Sequence, residues 1–510
     1  MDAVWAWLWG TSGFWRALFW TALVVNARAV FKLALDWKGM LTTCRFVEAA
    51  YGRLAALPDE AALERDPTTP VFVHLVPAYE EPAIAATLGA LLAARYPHSR
   101  LHVVVATREA EERAPHPAMA APTAELVRRF RETLPPWQQK MLSVVAMPGP
   151  GRKAHQLNWA LRPEILRPLL GDAHDPARVW IGVSDADSIP DPNTHRWLAA
   201  DLAAARARGE AERLAYQGVT LSLANFDRLD HRARVCAIQQ SSIFVRVSLA
   251  RLINERRRLA WFARLAARAP RLGRLARPVF DLCFRRSQIC LGHHQFVRLD
   301  TLQALGGFPT TGATEDSTLG YALGACGVLP AALPLLELVD LPGTREGMIR
   351  QNARWYKGVL DDVAFLWQAW RRAPTAFNLA QLCRHVGNKV VEWPIAACVY
   401  PVLGFLGWHL AYRFADRPAW FVLGVTAPTL SLALTIWVGG IMTQQLIERL
   451  TPWFPRPVSV ARTTLQAKFW GMFRCQTYWL LATRGAWRVL WALVRAGRYE
   501  AAKTDRVRRV

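Results

Sequence analysis

The feature that most constrains this chain is Val179–Asp191, which reads VWIGVSDADSIPD. Its first five residues, Val179–Val183, are apolar or small and end abruptly at the letters SDAD. Such a run predicts a buried parallel strand that opens into a loop at its carboxyl end, where open α/β sheets bind ligands. Asp185 and Asp187 are spaced to share one cation, and Mg²⁺ and Mn²⁺ prefer oxygen ligands. By itself the motif also fits a solvated turn before Pro190.

Strand and helix signals alternate on both sides of this run. The alternation predicts an α/β fold with a Rossmann-like, mainly parallel sheet. The predicted strands are Val71–Val76, Leu101–Ala106, Leu142–Met147 and Tyr216–Leu223, and the predicted helices are Ala83–Arg95, Pro122–Thr133, Gly151–Leu161, Asn193–Arg208 and His231–Leu249.

Lys153 falls in the first turn of the helix predicted at Gly151–Leu161. A cation at this position opposes the helix macrodipole, which favours negative charge at a helix start. The position therefore favours a lysine that faces a ligand, and a solvated lysine is the alternative.

The charge balance is strongly basic. The 510 residues include 63 Lys and Arg, 40 Asp and Glu and 23 Trp, which leaves a net charge of +23. A basic, tryptophan-rich chain is typical of a membrane protein with a basic cytoplasmic face and aromatic interface belts. Nucleic acid is the other usual partner of a basic chain, but no helix-turn-helix, zinc-finger or RNP pattern is present. We therefore expect membrane lipids and no nucleic acid.

Long apolar runs in the sequence predict the positions of the membrane segments. Trp393–Tyr412 and Pro418–Ile447 are uncharged and reach the ~20 residues needed to span a bilayer. Phe14–Leu35 predicts a tilted membrane helix or an interfacial helix, and Phe469–Thr483 a re-entrant, interfacial or third spanning segment. Because 448–468 and the tail are basic, the positive-inside rule predicts an inner-membrane protein whose catalytic domain is cytoplasmic.

The segment Arg251–Pro278 carries nine arginines and one acidic residue among leucines and aromatic residues. It predicts a basic amphipathic insertion that lies at the membrane surface. A solvated helix face is the alternative.

Two further stretches carry polar groups in suggestive positions. Gly312–Cys326 (GATEDSTLGYALGAC) predicts a helix that Thr314 caps, with Glu315 and Asp316 in its first turn. Ordinary helix-start chemistry explains these acids equally well. Gln351–Lys357 (QNARWYK) opens an amphipathic stretch that runs to Trp370.

Five motifs stand in order along the chain, ahead of the apolar runs. They are P-x-Y-x-E at Pro77–Glu81, Lys153 with Leu157 and Asn158, D-A-D at Asp185–Asp187, T-E-D at Thr314–Asp316 and Q-x-x-R-W at Gln351–Trp355.

This ordered set resembles the family 2 membrane glycosyltransferases of the GT-A fold, the group of cellulose, hyaluronan and chitin synthases. The chain departs from the group at Ala106–Glu109, where an acidic pair is usual, and Ile289–His294 (ICLGHH) matches the acceptor-side stretch only loosely.

The resemblance implies a role for each motif. Asp316 is the implied general base, and Glu315 is the next candidate. Asp185 and Asp187 are the implied metal ligands, for Mg²⁺ or Mn²⁺. The acceptor side comprises Gly292, His293 and Trp355; adjacent histidines rarely bind one ion, so we expect His293 and His294 in a loop beside the acceptor. The implied donor-binding residues are Pro77, Tyr79, Glu81, Lys153, Asp185, Asp187, Gln351 and Arg354.

The implied function is inverting transfer of a sugar from a nucleotide-sugar donor, foremost a UDP-sugar, to a growing polysaccharide. Transfer of one sugar to a membrane lipid is the alternative acceptor chemistry. A catalytically inactive, lipid-binding scaffold is the alternative of another class. The implied organisation is an N-terminal membrane or interfacial segment 1–57, a GT-A domain 58–360 with its insertion 251–278, interfacial helices 361–390, transmembrane helices 391–447, and an interfacial or re-entrant segment with a basic tail 448–510.

Overall fold

The computed structural model describes residues 12–114, 116–117, 119–171, 174–210, 212–285, 290–395, 422, 426, 441–460 and 472–499. Most of the predicted spans Trp393–Tyr412 and Pro418–Ile447 therefore lies outside the described residues, as do residues 500–510 of the tail.

No helix in the described part of the chain combines the length and the apolar character that a membrane crossing needs. The segment Phe14–Leu35 is helical, as predicted. However, Arg16, Arg28 and Lys32 interrupt its apolar run. The expectation that it crosses the bilayer is therefore not supported, and an interfacial position stays a prediction.

The sheet contains eight strands among the described residues, in the order β3-β2-β1-β4-β7-β6-β8-β5. Strands β1 to β4 are mutually parallel, and β6 is parallel to β8. The strands are β1 Val71–Pro77, β2 Leu101–Arg108, β3 Leu142–Met147, β4 Val179–Val183, β5 Ile189–Pro190, β6 Ala215–Leu221, β7 Gln295–Arg298 and β8 Ala331–Leu338.

Helices surround the sheet and extend beyond it. Two π-helical segments, Phe244–Leu249 and Val386–Val391, join neighbouring helices without a break. The helices are α1 Ser12–Tyr51, α2 Glu60–Arg65, α3 Ile84–Leu92, α4 Glu109–Arg113, α5 Thr123–Glu132, α6 Pro136–Met141, α7 Lys153–Ala160, α8 Pro163–Leu170, α9 Thr194–Ala207, α10 His231–Ile243, α11 Ala250–Arg268, α12 Pro270–Cys283, α13 Leu299–Ala304, α14 Glu315–Ala325, α15 Arg345–Arg372, α16 Ala376–His385, α17 Glu392–Ile395 and α18 Met472–Ala496.

The α/β class is confirmed, but the sheet is mixed. Strand β7 runs antiparallel to both β4 and β6, and β5 runs antiparallel to β8. The direction of β7 follows from where the chain enters it: His294 donates its backbone N–H to the carbonyl of Val183, at the carboxyl end of β4, at 2.8 Å. A strand that begins at that edge has to run back against β4.

Both faces of the sheet are buried, as parallel strands require. Along β1, Phe72 and Val76 belong to one apolar core, and Val73 and Leu75 belong to the core on the opposite face. This alternation is the period of two expected of a strand. Burial on both faces explains why these strands read as continuous apolar runs.

The long helix α1 meets the sheet at a point that we call the Tyr51 junction. It comprises Tyr51, Asp191, Leu336 and Trp453. The hydroxyl of Tyr51 donates to Oδ2 of Asp191 at 2.9 Å and accepts the backbone N–H of Leu336 at 3.2 Å. Its ring stacks on Trp453 with a centroid distance of 5.0 Å. The junction thus connects residues from the start, middle and end of the chain.

Helix α15 begins at Arg345, six residues before the stretch predicted to open at Gln351. Thr344 caps it, because its hydroxyl accepts the backbone N–H of Gly347 at 3.0 Å. A small apolar cluster connects this helix with α18; its buried members are Ala353, Tyr356, Val359, Ala486 and Val489.

Candidate active site

The site lies at the switch point of the sheet. Strand β1 has β2 on one side and β4 on the other, so the chain segments that leave β1 and β4 diverge and leave a crevice. Ligands of open α/β sheets bind in such crevices, beyond the carboxyl ends of the strands. Pro77 ends β1, and Asp185 and Asp187 follow β4 directly.

Lys153 is the centre of the charged groups in this crevice. It is the first residue of α7, and its ammonium donates to Oδ1 of Asp185 and to the carbonyl of Gly292, both at 2.6 Å. Oε1 of Glu315 lies 3.2 Å from the same nitrogen. Burial lowers the pKa of Lys153, but the charges of Asp185, Glu315 and Asp316 outweigh burial and raise it above its ordinary value. We call these side chains the Lys153 cluster.

Asp187 faces a different neighbour from Asp185. It is buried, and its Oδ2 accepts the backbone N–H of Asp340 at 3.1 Å, just beyond β8. The backbone between the two aspartates turns tightly, since Ser188 donates its N–H to the carbonyl of Asp185 at 3.0 Å. The D-A-D motif therefore lies between the ends of β4 and β8.

Asp316 lies in the first turn of α14, next to Glu315. Its Oδ1 accepts the backbone N–H of Ser317 at 2.8 Å. Burial and the neighbouring charge of Glu315 raise the pKa of Asp316 to about 7. Thr314 occupies the N-cap position as predicted, but its side chain makes no capping hydrogen bond; its hydroxyl lies 3.4 Å from that of Ser317 instead.

Helix α15 holds the start of α14 through residues near its middle. Asp362 accepts the hydroxyl of Thr318 at 2.7 Å and also that of Ser317. Gly358 faces Thr314 so closely that a Cβ on the glycine would lie 2.0 Å from the threonine hydroxyl. The two helices can approach this far only because position 358 has no side chain.

The Q-x-x-R-W residues lie earlier on the same helix. Gln351 is buried, Arg354 is half-buried, and the ring of Trp355 lies 6.5 Å from that of Phe244 in an edge orientation. Within the described residues, no hydrogen bond or ion pair joins Gln351 or Arg354 to the Lys153 cluster. Helix α15 instead reaches the T-E-D turn through Gly358 and Asp362.

Gly292, His293 and His294 form a turn with unusual backbone angles. Gly292 has a φ of +83° and His294 a φ of +51°, and the left-handed region is costly for a residue with a Cβ. The turn directs His293 to Glu337, whose Oε2 lies 2.8 Å from Nδ1, while His294 is buried in the core. A Cβ on Gly292 would lie 2.7 Å from Oδ2 of Asp316, so this turn and the T-E-D turn are in close contact.

The remaining predicted donor residues follow β1. The ring of Tyr79 lies under the guanidinium of Arg108, at 4.6 Å from its centroid. Glu81 donates its backbone N–H to the hydroxyl of Thr123 at 2.9 Å. Arg108 ends β2, so a cation stands at the strand end where the resemblance leads one to expect acids.

Sequence reasoning missed Glu337 and Asp362. Glu337 is fully buried within β8, and Asp362 is 1% exposed within α15. A single carboxylate inside the apolar run Ala331–Leu338 was the available signal for Glu337, because a buried acid requires a partner. That partner, His293, is 44 residues earlier, and no local pattern indicates it.

The donor set suits a hard divalent cation that is shared with phosphates. No group of three His, Cys, Asp or Glu side chains in the described part of the chain could hold a metal ion. Mg²⁺ is usually bound by one or two carboxylates together with substrate phosphates and water. Asp185 and Asp187 supply hard oxygen ligands of this type, in a crevice that contains more carboxylates than cations. These two residues would hold the ion.

Comparison with known proteins finds distant similarity among solved structures. No protein-family model matches the chain, and no curated protein matches it significantly. Among solved structures, it is similar to a mannosyltransferase from Pyrobaculum calidifontis in complex with GDP-Man and Mn²⁺. The two chains are 17% identical, 91% of this chain and 98% of the other are covered, and the TM-score is 0.38. A similarity this distant assigns no function, so the proposed function rests on the side chains of the site.

Proposed function

We propose that the chain is an inverting, cation-dependent membrane glycosyltransferase that moves a sugar from a nucleotide-sugar donor to a growing polysaccharide. The carrying observation is the Lys153 cluster at the switch point, where Lys153 lies 2.6 Å from Asp185 and 3.2 Å from Glu315. A half-buried ammonium suits an anionic diphosphate. A half-buried carboxylate beside it, Asp316, suits a neutral hydroxyl that must lose a proton.

Asp316 is the proposed general base. It accepts the proton of an acceptor hydroxyl while the hydroxyl oxygen forms a bond to the anomeric carbon of the donor. The bond from that carbon to the phosphate oxygen breaks, and the nucleoside diphosphate leaves with the electron pair. A single displacement of this kind inverts the anomeric configuration.

Positive charge stabilises the leaving diphosphate. Lys153 supplies one such charge from the protein. A divalent cation, when held by Asp185 and Asp187, supplies more charge to the same group. Arg354 is a further candidate for this role by its motif, and its contact with the donor stays a prediction.

The activity test uses purified full-length protein and a panel of nucleotide sugars. We expect donor-dependent release of nucleoside diphosphate that EDTA abolishes and that Mn²⁺ or Mg²⁺ restores. UDP-sugars are the first donors to test. GDP-sugars belong in the same panel because Arg108 stands where an acidic pair was expected. Undiminished release in EDTA would remove the cation from the proposal, and no release with any donor would favour the inactive scaffold.

The acceptor and the location are parts of the same proposal. Product length on a sizing column separates a polysaccharide from a lipid that carries one sugar. The basic segment 448–468 and the basic tail support a cytoplasmic catalytic domain at the inner membrane. A reporter fused after Val510 should be active only in the cytoplasm, and a periplasmic signal would reverse this orientation.

A further inference from the structure

A helical hairpin is inserted in the chain between β6 and β7, which pair directly in the sheet. It consists of α11 and α12, which pack against each other through the stacked rings of Phe262 and Phe280, 4.2 Å apart between centroids. Gly273 lies so close to Ala266 that a Cβ on the glycine would approach the alanine Cβ to 2.6 Å. The hairpin is therefore a tightly packed unit, and the proposed chemistry does not use it.

The outer face of α12 is apolar and exposed. Leu272, Leu275, Val279 and Leu282 follow one another at spacings of three, four and three residues, which places them on one side of a helix. Their exposed fractions are 55%, 78%, 57% and 46%. We call these four residues the α12 stripe. A contiguous exposed apolar strip of this kind marks an interaction surface.

The exposed charges that the hairpin itself carries are all positive. Both acidic residues of the hairpin, Glu255 and Asp281, are buried, and Asp281 accepts a hydrogen bond from Arg277 at 2.8 Å. The outer surface therefore presents cations around an apolar strip. The exposed arginines of α11 and α12 are Arg257, Arg264, Arg268, Arg271, Arg274 and Arg277.

The base of the hairpin is anchored to α16. The guanidinium of Arg285 lies 3.7 Å above the ring of Phe377, and Arg384 donates to the backbone carbonyls of Leu282 and Arg285. These contacts bind the end of α12 to the rest of the protein from one side. They leave the α12 stripe facing outward.

We propose that the α12 stripe docks into the headgroup region of an anionic lipid bilayer, with the arginines of the hairpin bound to lipid phosphates. Apolar side chains that enter the acyl boundary and cations that meet anionic headgroups bind membrane surfaces together. Nucleic acid would account for the arginines. It gives no reason for four exposed aliphatic side chains in a row, because nucleic-acid bases stack on aromatic rings.

The experiment places a nitrobenzoxadiazole label on Leu275→Cys in the full-length protein, after Cys283, Cys326, Cys383, Cys398 and Cys475 have been replaced by serine. Leu275 is the most exposed residue of the stripe, so we expect its replacement to leave the fold intact. Circular dichroism of the variant checks this expectation. Lys140→Cys, an exposed position on α6, is the matched control. Both proteins are reconstituted into phosphatidylcholine vesicles with and without phosphatidylglycerol.

With phosphatidylglycerol present, we expect the label at position 275 to shift to the blue, to brighten, and to be quenched by nitroxide-labelled lipid. The label at position 140 should behave as it does in water. Replacing Arg271 and Arg274 by glutamine should weaken docking by about 5-fold for each arginine. Val279→Cys is a second reporter site on the same stripe.

Three results would overturn the proposal. The first is water-like emission from positions 275 and 279 in both lipid mixtures. The second is a blue shift that depends on protein concentration and not on lipid composition, which would assign the stripe to a contact between copies of the chain. The third is a response to added RNA without a response to anionic lipid.

Discussion

Two consecutive histidines of this protein lie in opposite environments. His293 faces the site: burial opposes its protonation, but the hydrogen bond to Glu337 and the charge of Asp185 prevail and raise its pKa. His294 faces the core, where burial lowers its pKa. Burial lowers the pKa of both side chains, so burial alone does not set the direction of the shift. The hydrogen bond to the buried carboxylate of Glu337 sets it for His293.

The same contrast separates two larger groups. In the Lys153 cluster, the carboxylates raise the pKa of Lys153 and so favour its charged form. Beneath it, His74, His195 and His294 form a histidine cluster around Phe296, with ring centroids 5.2, 5.7 and 6.4 Å from the phenyl ring. Burial lowers the pKa of His74 to about 4 and that of His195 well below its ordinary value. The Lys153 cluster favours a charged lysine, and the histidine cluster favours neutral imidazoles.

The largest expected effect is a loss of turnover when Asp316 of the Lys153 cluster is replaced. Asp316→Asn keeps the shape and the hydrogen bond to Ser317 but removes the base. Turnover should fall by about 10²–10⁴-fold, while donor affinity changes little because Lys153 remains. Nucleoside diphosphate release measures the first quantity and calorimetry the second. Glu164→Gln is the control, since Glu164 is exposed and also lies in the first turn of a helix. If Asp316→Asn turns over within a few-fold of wild type, Glu315 becomes the candidate base.

The next largest effects come from two glycine substitutions, one beside the Lys153 cluster and one beside the histidine cluster. In Gly292→Ala the new Cβ lies 2.7 Å from Asp316 Oδ2, and in Gly218→Ala it lies 2.3 Å from Nδ1 of His294. Gly292→Ala should reduce turnover by far more than its loss of stability explains, although its φ of +83° makes the alanine costly as well. Gly218→Ala should mainly lower the free energy of unfolding, by about 1–3 kcal/mol, because it overpacks the core.

Thermal unfolding and turnover of each variant decide between these outcomes. If Gly218→Ala loses turnover at unchanged stability, the core and the site are not separable in this way, and the histidine cluster contributes to catalysis.

The smallest effect concerns acid stability. Burial lowers the pKa values of His74, His195 and His294. Below pH ~6.5 these histidines therefore bind protons in the unfolded chain but not in the native state. Their stabilising contribution is complete above that pH and declines as pH falls. For His74, whose pKa is about 4, the decline is about 1.4 kcal/mol per pH unit down to that value. His293 and Asp316, whose pKa values are raised, act in the opposite sense, since the native state binds their protons more tightly and loses stability from them as pH rises. Thermal melts between pH 7.5 and 5 should therefore show a net loss of stability in acid.

His195→Phe sharpens this measurement. Both ring nitrogens of His195 lack a hydrogen-bond partner among the described residues, and aromatic rings surround it, so phenylalanine should fit at little cost. The variant should be at least as stable as wild type at pH 7.5 and should lose less stability in acid. An unchanged pH dependence would show that His195 is not among the groups responsible.

Much of the sheet could be predicted from the sequence, and the reason is physical. The predictions Leu142–Met147 and Val179–Val183 match β3 and β4 to the residue. Strand β4 is buried throughout and leaves an uninterrupted apolar run, whereas β3 is an edge strand whose four middle residues are half-buried. Strand β7 was not predicted. It has only four residues, and its pairing partners are distant in sequence.

In the site, too, some residues could be predicted from the sequence and some contacts could not. Lys153 could be singled out from its position at a helix start, and Asp185 from its position at a strand end, and the two are in contact. The pairing of His293 with Glu337 and the close approach of Gly358 to Thr314 could not be predicted. Each depends on how distant elements pack, and neither partner carries a local pattern that indicates the other.

The Tyr51 junction has a consequence for how the chain reaches its native state. The ring of Tyr51 stacks on that of Trp453. One turn earlier on α1, the carboxylate of Glu48 accepts two hydrogen bonds from Arg449, at 2.6 and 2.8 Å, across 401 residues of sequence. Contacts of such separation form late, since closing a long loop costs entropy before any contact compensates for it. During synthesis, α1 and the sheet emerge while their shared partner is still unmade. The final docking of the first helix must therefore wait until the ribosome has passed residue 453.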